Sequence, residues 1–180
     1  MEEERIRELK QELFAYRNGI VADALRKSGD PHTMILGCQL TDLATISSRH
    51  EKSVELAHAL WACRSNRECR LLSPMLYPLE NATIDDAVSM ALDVQTEEEA
   101  DVLCHKLLRS LPFSLDLASQ LAQGSDNRGY YVALRLILNM ISLGKNLGQD
   151  WLNEMLQGIS AKSQDRRVLT LIRQIESEEV

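Results

Sequence analysis

Glycine, proline and aromatic side chains are scarce in this sequence, with eight Gly, four Pro, two Trp, four Tyr and two Phe among 180 residues. No stretch alternates apolar and polar residues between turn signals, so β-strands have little support. No apolar run approaches the roughly 20 residues that cross a bilayer. The four cysteines, Cys38, Cys63, Cys69 and Cys104, form no CxxC pair and have no histidine at zinc-like spacing. That argues against a metal centre or a thioredoxin-type motif and for buried thiols. The start, MEEERIRELK, lacks the basic-then-apolar order of a signal peptide, and with unpaired cysteines this predicts a reducing cytoplasm. Phosphate loops, nucleophile elbows and dinucleotide fingerprints are missing too, and no cofactor is expected. The net charge of −7 speaks against a generic grip on nucleic acid. The first hundred residues carry all of it, however, while residues 101–180 balance. Any basic groove is therefore local and built mainly of arginine.

What is present is helical periodicity. In ELAHALWACRSNRECRLLSPMLYP, residues 55–78, Leu56, Ala59, Leu60 and Cys63 fall on one helical face, as do Cys69, Leu72 and Leu76 after a polar break. The pattern predicts an antiparallel helix pair. Ser65 is placed to cap the second helix, with Glu68 three residues on. Similar breaks at Thr96-Glu97-Glu98-Glu99, Ser125-Asp126-Asn127-Arg128 and Ser163-Gln164-Asp165-Arg166 recur at intervals of roughly 30 to 40 residues, the period of helix-hairpin repeats. Each hairpin would bury its apolar face by stacking on its neighbours. The expected fold is all-α, a HEAT-like solenoid of about five helix pairs forming a single domain over residues 1–180, with a concave wall. The segment 128–143, apolar almost all round, should be the innermost helix, and Pro112 should close a helix that opens at Thr96.

Five segments in order, MILGCQLTDLATISSRH, ELAHALWACRSNRECRLLSPMLYP, EEEADVLCHKLL, SDNRGYYVALRLIL and DRRVLTLIRQIE, resemble the DNA alkylation repair glycosylase family of HEAT-like repeats. The likeness spans roughly residues 34–176. It implies a concave, basic wall that holds double-stranded DNA while an alkylated purine is removed. Such a purine already carries positive charge, so one carboxylate that steadies the oxocarbenium-like sugar and places a water suffices. The position matching the family's aspartate is Asp101. Arg67, Arg70, Arg128, Arg166 and Arg167 are the candidate phosphate contacts, with a solvated repeat edge as their alternative role.

Three departures argue against catalysis. Glu97 stands where the family has a tryptophan, a tryptophan–arginine pair falls on Gly129 with Tyr131 or Val132, and Leu171 replaces the last tryptophan. Glu97 near a DNA backbone repels phosphates. The expected function is thus a diverged binding module with impaired or absent catalysis, its partner DNA or a protein. The alternative is a working glycosylase for N3- and N7-alkylated purines that uses Asp101. Tyr130 and Tyr131 are the neighbouring aromatics available to stand in for the missing tryptophan.

Overall fold

Helix-forming residues and side-chain caps divide the chain into short helices, and the computed structural model describes residues 2–178. Among these the fold is all-α: eleven α-helices, two 3-10 turns and no strand. One isolated parallel bridge joins Met34 to Asn66. No helix among the described residues is long and apolar enough to cross a membrane. The chain divides into two compact units at Ala82–Thr83.

The first unit contains α1 (Glu2–Ala15), α2 (Gly19–Lys27), α3 (Leu40–Ser47), α4 (Val54–Trp61) and α5 (Arg67–Leu76). Every residue of α5 is buried, and it packs on α3 and α4 while α1 covers α3 and α4. The helix pair expected over residues 55–78 is therefore the centre of this unit. Its cap is not the predicted one. Asn66 caps α5 by accepting from Cys69 N at 3.0 Å, and Ser65 instead gives its carbonyl to Met34 N at 2.8 Å. Glu68, expected to reach back as a capping-box partner, turns to the loop before α3 and accepts from Leu36 N at 3.0 Å and Gly37 N at 2.9 Å. The loop runs so close to the helix start that its own N–H groups need an acceptor, and this demand outweighs a local cap. The helix continues through Pro74 to Leu76.

The second unit contains α6 (Ile84–Asp93), α7 (Glu97–Lys106), α8 (Ser114–Gln123), α9 (Asn127–Ser142), α10 (Gln149–Lys162) and α11 (Arg166–Glu178). As its sequence requires, α9 is central: it packs on α6, α7, α8 and α11, with Val132, Ala133, Leu134, Leu136, Ile137 and Met140 at 0% exposure. Thr96 caps α7 through Glu99 N at 3.1 Å. Glu99 is buried and accepts from Gln95 N at 2.8 Å, one residue earlier than in a standard capping box. The helix stops at Lys106, not at Pro112. Leu107 leaves helical geometry, a 3-10 turn follows at Leu108–Ser110, and Ser114 Oγ shares its one hydrogen between the Leu108 and Leu111 carbonyls at 2.8 and 2.5 Å, which also accept from Leu111 N and Ser114 N.

Candidate functional site

The caps of α7, α9 and α11 decide where the polar side chains of the second unit gather. A cleft of about 190 Å³ is lined by Thr96, Glu97 and Ala100 of α7 and its cap, Asn127, Arg128 and Tyr131 of α9, and Asp165, Arg167 and Val168 at the start of α11. Three helix N-termini thus open onto one hollow, and each brings positive backbone charge. An acidic residue answers that charge on every helix.

Two of those answers share one construction. Asp126, the cap of α9, accepts from Arg128 N at 2.8 Å and takes the same guanidinium through Nε and Nη2 at 3.1 and 2.8 Å. Asp165, just before α11, accepts from Arg167 N at 2.8 Å, Nε at 3.1 Å and Nη2 at 2.7 Å. A carboxylate that receives a backbone donor and a two-pronged guanidinium is held strongly in its charged form. The Arg167 fork lowers the Asp165 carboxyl to about 2, and Arg128 lowers Asp126 in the same direction. Both arginines are half-exposed, but each is closed onto its own aspartate. Arg167 also approaches Glu97, at 3.8 Å.

This construction predicts a pH signature. Asp165→Asn keeps an oxygen for the cap and removes the charge, and is expected to destabilise the second unit by about 1 kcal/mol. Because the folded value lies below the ordinary 3.8, the stabilisation is present above that pH and lost as pH falls through about 2. Unfolding followed by Trp151, the tryptophan of this unit, should show a constant gap between variant and wild type near neutrality that closes in acid. A gap that persists unchanged at the acid end would contradict the fork as its source.

Asp101 lies one helical turn beyond Glu97 and is not among the residues lining the cleft. It is tied to the cleft through Tyr131, whose hydroxyl donates to Asp101 Oδ1 at 3.3 Å. On its other side Arg135 Nε stands 2.7 Å from the same oxygen, both side chains being about one third exposed at 32% and 35%. Burial pushes the Asp101 carboxyl above its ordinary value, against the opposing pull of Arg135 and the Tyr131 hydroxyl, while Glu97 and Glu98 add to the rise. Burial, followed by the Asp101 and Glu97 carboxylates, raises the Tyr131 phenol as well, with Arg135 opposing. The result is a carboxylate held between Arg135 and Tyr131, with burial the dominant influence on its proton.

The remaining sequence-predicted arginines fall into two groups. Arg166 is exposed at the start of α11, outside the cleft lining. Arg67 and Arg70 are not surface groups: they are 4% and 0% exposed in the first unit, which corrects the expectation that they contact phosphate or edge a repeat. Arg67 Nη1 meets Glu68 Oε1 at 2.8 Å and the Cys38 carbonyl at 3.3 Å. Arg70 donates to the Trp61 carbonyl at 2.7 Å and lays its guanidinium 3.7 Å from the Trp61 ring centroid. Buried guanidinium groups need such partners, and these two work inside the fold.

Arg135 is the residue that sequence reasoning missed. It is the one charge between Gly129 and Leu143 in an otherwise apolar helix, and a charge in an inner helix calls for a counter-ion on the helix beside it. Gly129 has its own packing reason. A Cβ there would come within 3.1 Å of the Leu92 side chain, so a larger residue at that position requires Leu92 to give way. Val132 and Leu171 are buried at 0% and 5% exposure. Tyr130 also points inward, its hydroxyl donating to the Gly124 carbonyl at 2.7 Å. Tyr131 is therefore the aromatic that reaches the cleft.

Among the described residues, no group of three or more His, Cys, Asp or Glu side chains is placed to hold a metal ion. Comparison with protein-family profiles, with curated proteins and with solved structures yields no match to this chain.

Proposed function

We propose that this chain is a diverged HEAT-like helical-repeat protein related to the DNA alkylation repair glycosylases, and that it binds a protein partner through the cleft of its second unit without glycosylase catalysis. The observation that carries this reading is the state of Asp101. Its carboxylate is paired with Arg135 at 2.7 Å and bonded to Tyr131, so little negative charge remains to steady a developing sugar cation. The surroundings point the same way. Arg128 and Arg167 are each closed onto an aspartate, and Glu97 adds a further negative charge to the cleft, so the wall offers DNA phosphates no net attraction. A mixed array of paired charges around Val94, Ala100, Tyr131 and Val168 suits a polar peptide surface, where complementary charges set register. A cytoplasmic setting belongs to this reading and is supported by the free cysteines.

Fluorescence anisotropy with duplex DNA at low salt tests the choice of partner. The reading predicts no binding to plain or methylated duplex. Tight binding that weakens steeply with salt, by several phosphate contacts at about 0.9 per contact in the logarithmic slope, would replace the protein partner with DNA.

One observation favours a second reading. Tyr131 sets an aromatic ring in the cleft and its hydroxyl on Asp101, the pairing of π-face and carboxylate that a glycosylase for alkylated purines would use. In that reading Asp101 positions the water, and base release by the wild type disappears in Asp101→Asn.

A further inference from the structure

The turn between α4 and α5 in the first unit brings two thiols together. Cys63 follows α4, and its carbonyl accepts from Asn66 N at 2.9 Å. Cys69 lies in the first turn of α5, and its N–H donates to Asn66 Oδ1 at 3.0 Å. One asparagine therefore ties both cysteine backbones into a single turn. The side chains influence each other as well, Cys69 favouring the charged form of Cys63, and the Cys63 thiol reaches the Ala59 carbonyl at 3.4 Å. Access differs between them. Cys63 is partly open to solvent, whereas Cys69 is 0% exposed.

We propose that Cys63 and Cys69 form a reversible redox dithiol, in which a hydroperoxide oxidises the accessible Cys63 and the buried Cys69 resolves it to a disulfide across the α4–α5 turn. In the first step the Cys63 thiolate attacks one peroxide oxygen and the O–O bond breaks. The departing hydroxide takes a proton to become water, leaving a sulfenic acid. In the second the Cys69 sulfur attacks the Cys63 sulfur, an S–S bond replaces the S–O bond, and the hydroxide leaves as water with the Cys69 proton. Two thiols are oxidised by two electrons and one hydroperoxide is reduced by two, to water and, from an organic peroxide, an alcohol. Exchange with a dithiol reductant restores the pair.

The other groups around the turn suit this division of labour. The hydrogen bond from Cys69, opposed by burial and aided by Lys10 of α1, brings the Cys63 thiol down to about 6. That bond and burial push Cys69 up, with Glu68 adding to the rise and Lys10 opposing it. Burial raises Cys38 to about 12 and raises Cys104 as well. Among the four cysteines, Cys63 alone is both reachable and held low, and reactivity follows thiolate character together with access.

The experiment treats the reduced full-length protein with hydrogen peroxide under native conditions, then unfolds it in N-ethylmaleimide and maps the peptides by mass. The expected result is a loss of about 2 Da, two hydrogens, in a linked Cys63–Cys69 peptide, with maleimide on Cys38 and Cys104 and full reversal by dithiothreitol. In Cys69→Ser the Cys63 sulfenic acid should accumulate and be trapped by dimedone; in Cys63→Ser neither product should form. Four maleimides after peroxide treatment, a Cys63 crosslink between two chains, or a lasting dimedone adduct on wild-type Cys63 would each overturn the proposal. The wild-type map decides the matter even if a serine variant fails to fold.

Discussion

Glu68→Ala is expected to cost the first unit about 3–5 kcal/mol, the range for removing one partner of a buried charge pair. Glu68 is 0% exposed. Its carboxylate receives the Leu36 and Gly37 N–H groups and stands 2.8 Å from Arg67 Nη1. Truncation leaves the buried guanidinium without that counter-charge and strips two loop N–H groups of their acceptor. The loss spreads because Leu36 also accepts from Asn18 N at 2.8 Å, so the loop links α5 to the cap of α2. Denaturation followed by Trp61, which belongs to this unit while Trp151 belongs to the other, measures the effect on one unit at a time. A cost below about 1 kcal/mol, typical of an exposed pair, would show that the carboxylate does not hold the loop.

Gly37→Ala is expected to be nearly as severe, at about 3 kcal/mol. Gly37 has φ +79, and a Cβ there would run into the Asn18 carbonyl oxygen and lie 2.7 Å from Ala22 N. Both obstacles are backbone atoms joined in the first hydrogen bond of α2, so neither can swing aside as a side chain would. Gly29 supplies the comparison: its φ is +91, yet a Cβ there meets nothing within 4 Å. Gly29→Ala should therefore cost only the left-handed strain, about 1 kcal/mol. The same Trp61-monitored denaturation separates the two variants. Equal costs would mean that backbone strain alone, without the collision, governs Gly37.

These two positions show what the sequence made legible and what it hid. Helical periodicity located the central pair over residues 55–78 and the inner helix over residues 128–143, because a stripe of apolar residues is a property of one segment. Glu68 was misread for the converse reason. Three residues after a serine it fits a local cap, and only the fold brings the Leu36–Gly37 loop to it from more than thirty residues away. Arg67 and Arg70 look like surface charges by residue type, and their buried partners, Cys38 and Trp61 carbonyls, carry no sequence signature. At the candidate site, Asp101 was singled out by resemblance, whereas its counter-ion Arg135 is a lone charge in an apolar helix and was readable from that contrast. Asp126–Arg128 and Asp165–Arg167 share an Asp-x-Arg spacing at two helix starts. What the spacing did not reveal is that the forks close the arginines onto their own aspartates.

Release of alkylated purine from methylated duplex DNA by the purified protein at low salt, with Asp101→Asn run beside it, tests the central claim most directly. Low ionic strength gives weak phosphate contacts their best chance. The account predicts no release from either protein, and a second unit in Asp101→Asn at least as stable as wild type near neutral pH, because burial disfavours the Asp101 charge. Its raised value means that the protonated acid suits the fold: that contribution is complete in acid and lost as pH rises through the raised carboxyl value, so the variant's advantage should vanish at low pH. Base release by the wild type that is abolished in Asp101→Asn would contradict the account and establish a glycosylase that works with Tyr131 as its aromatic.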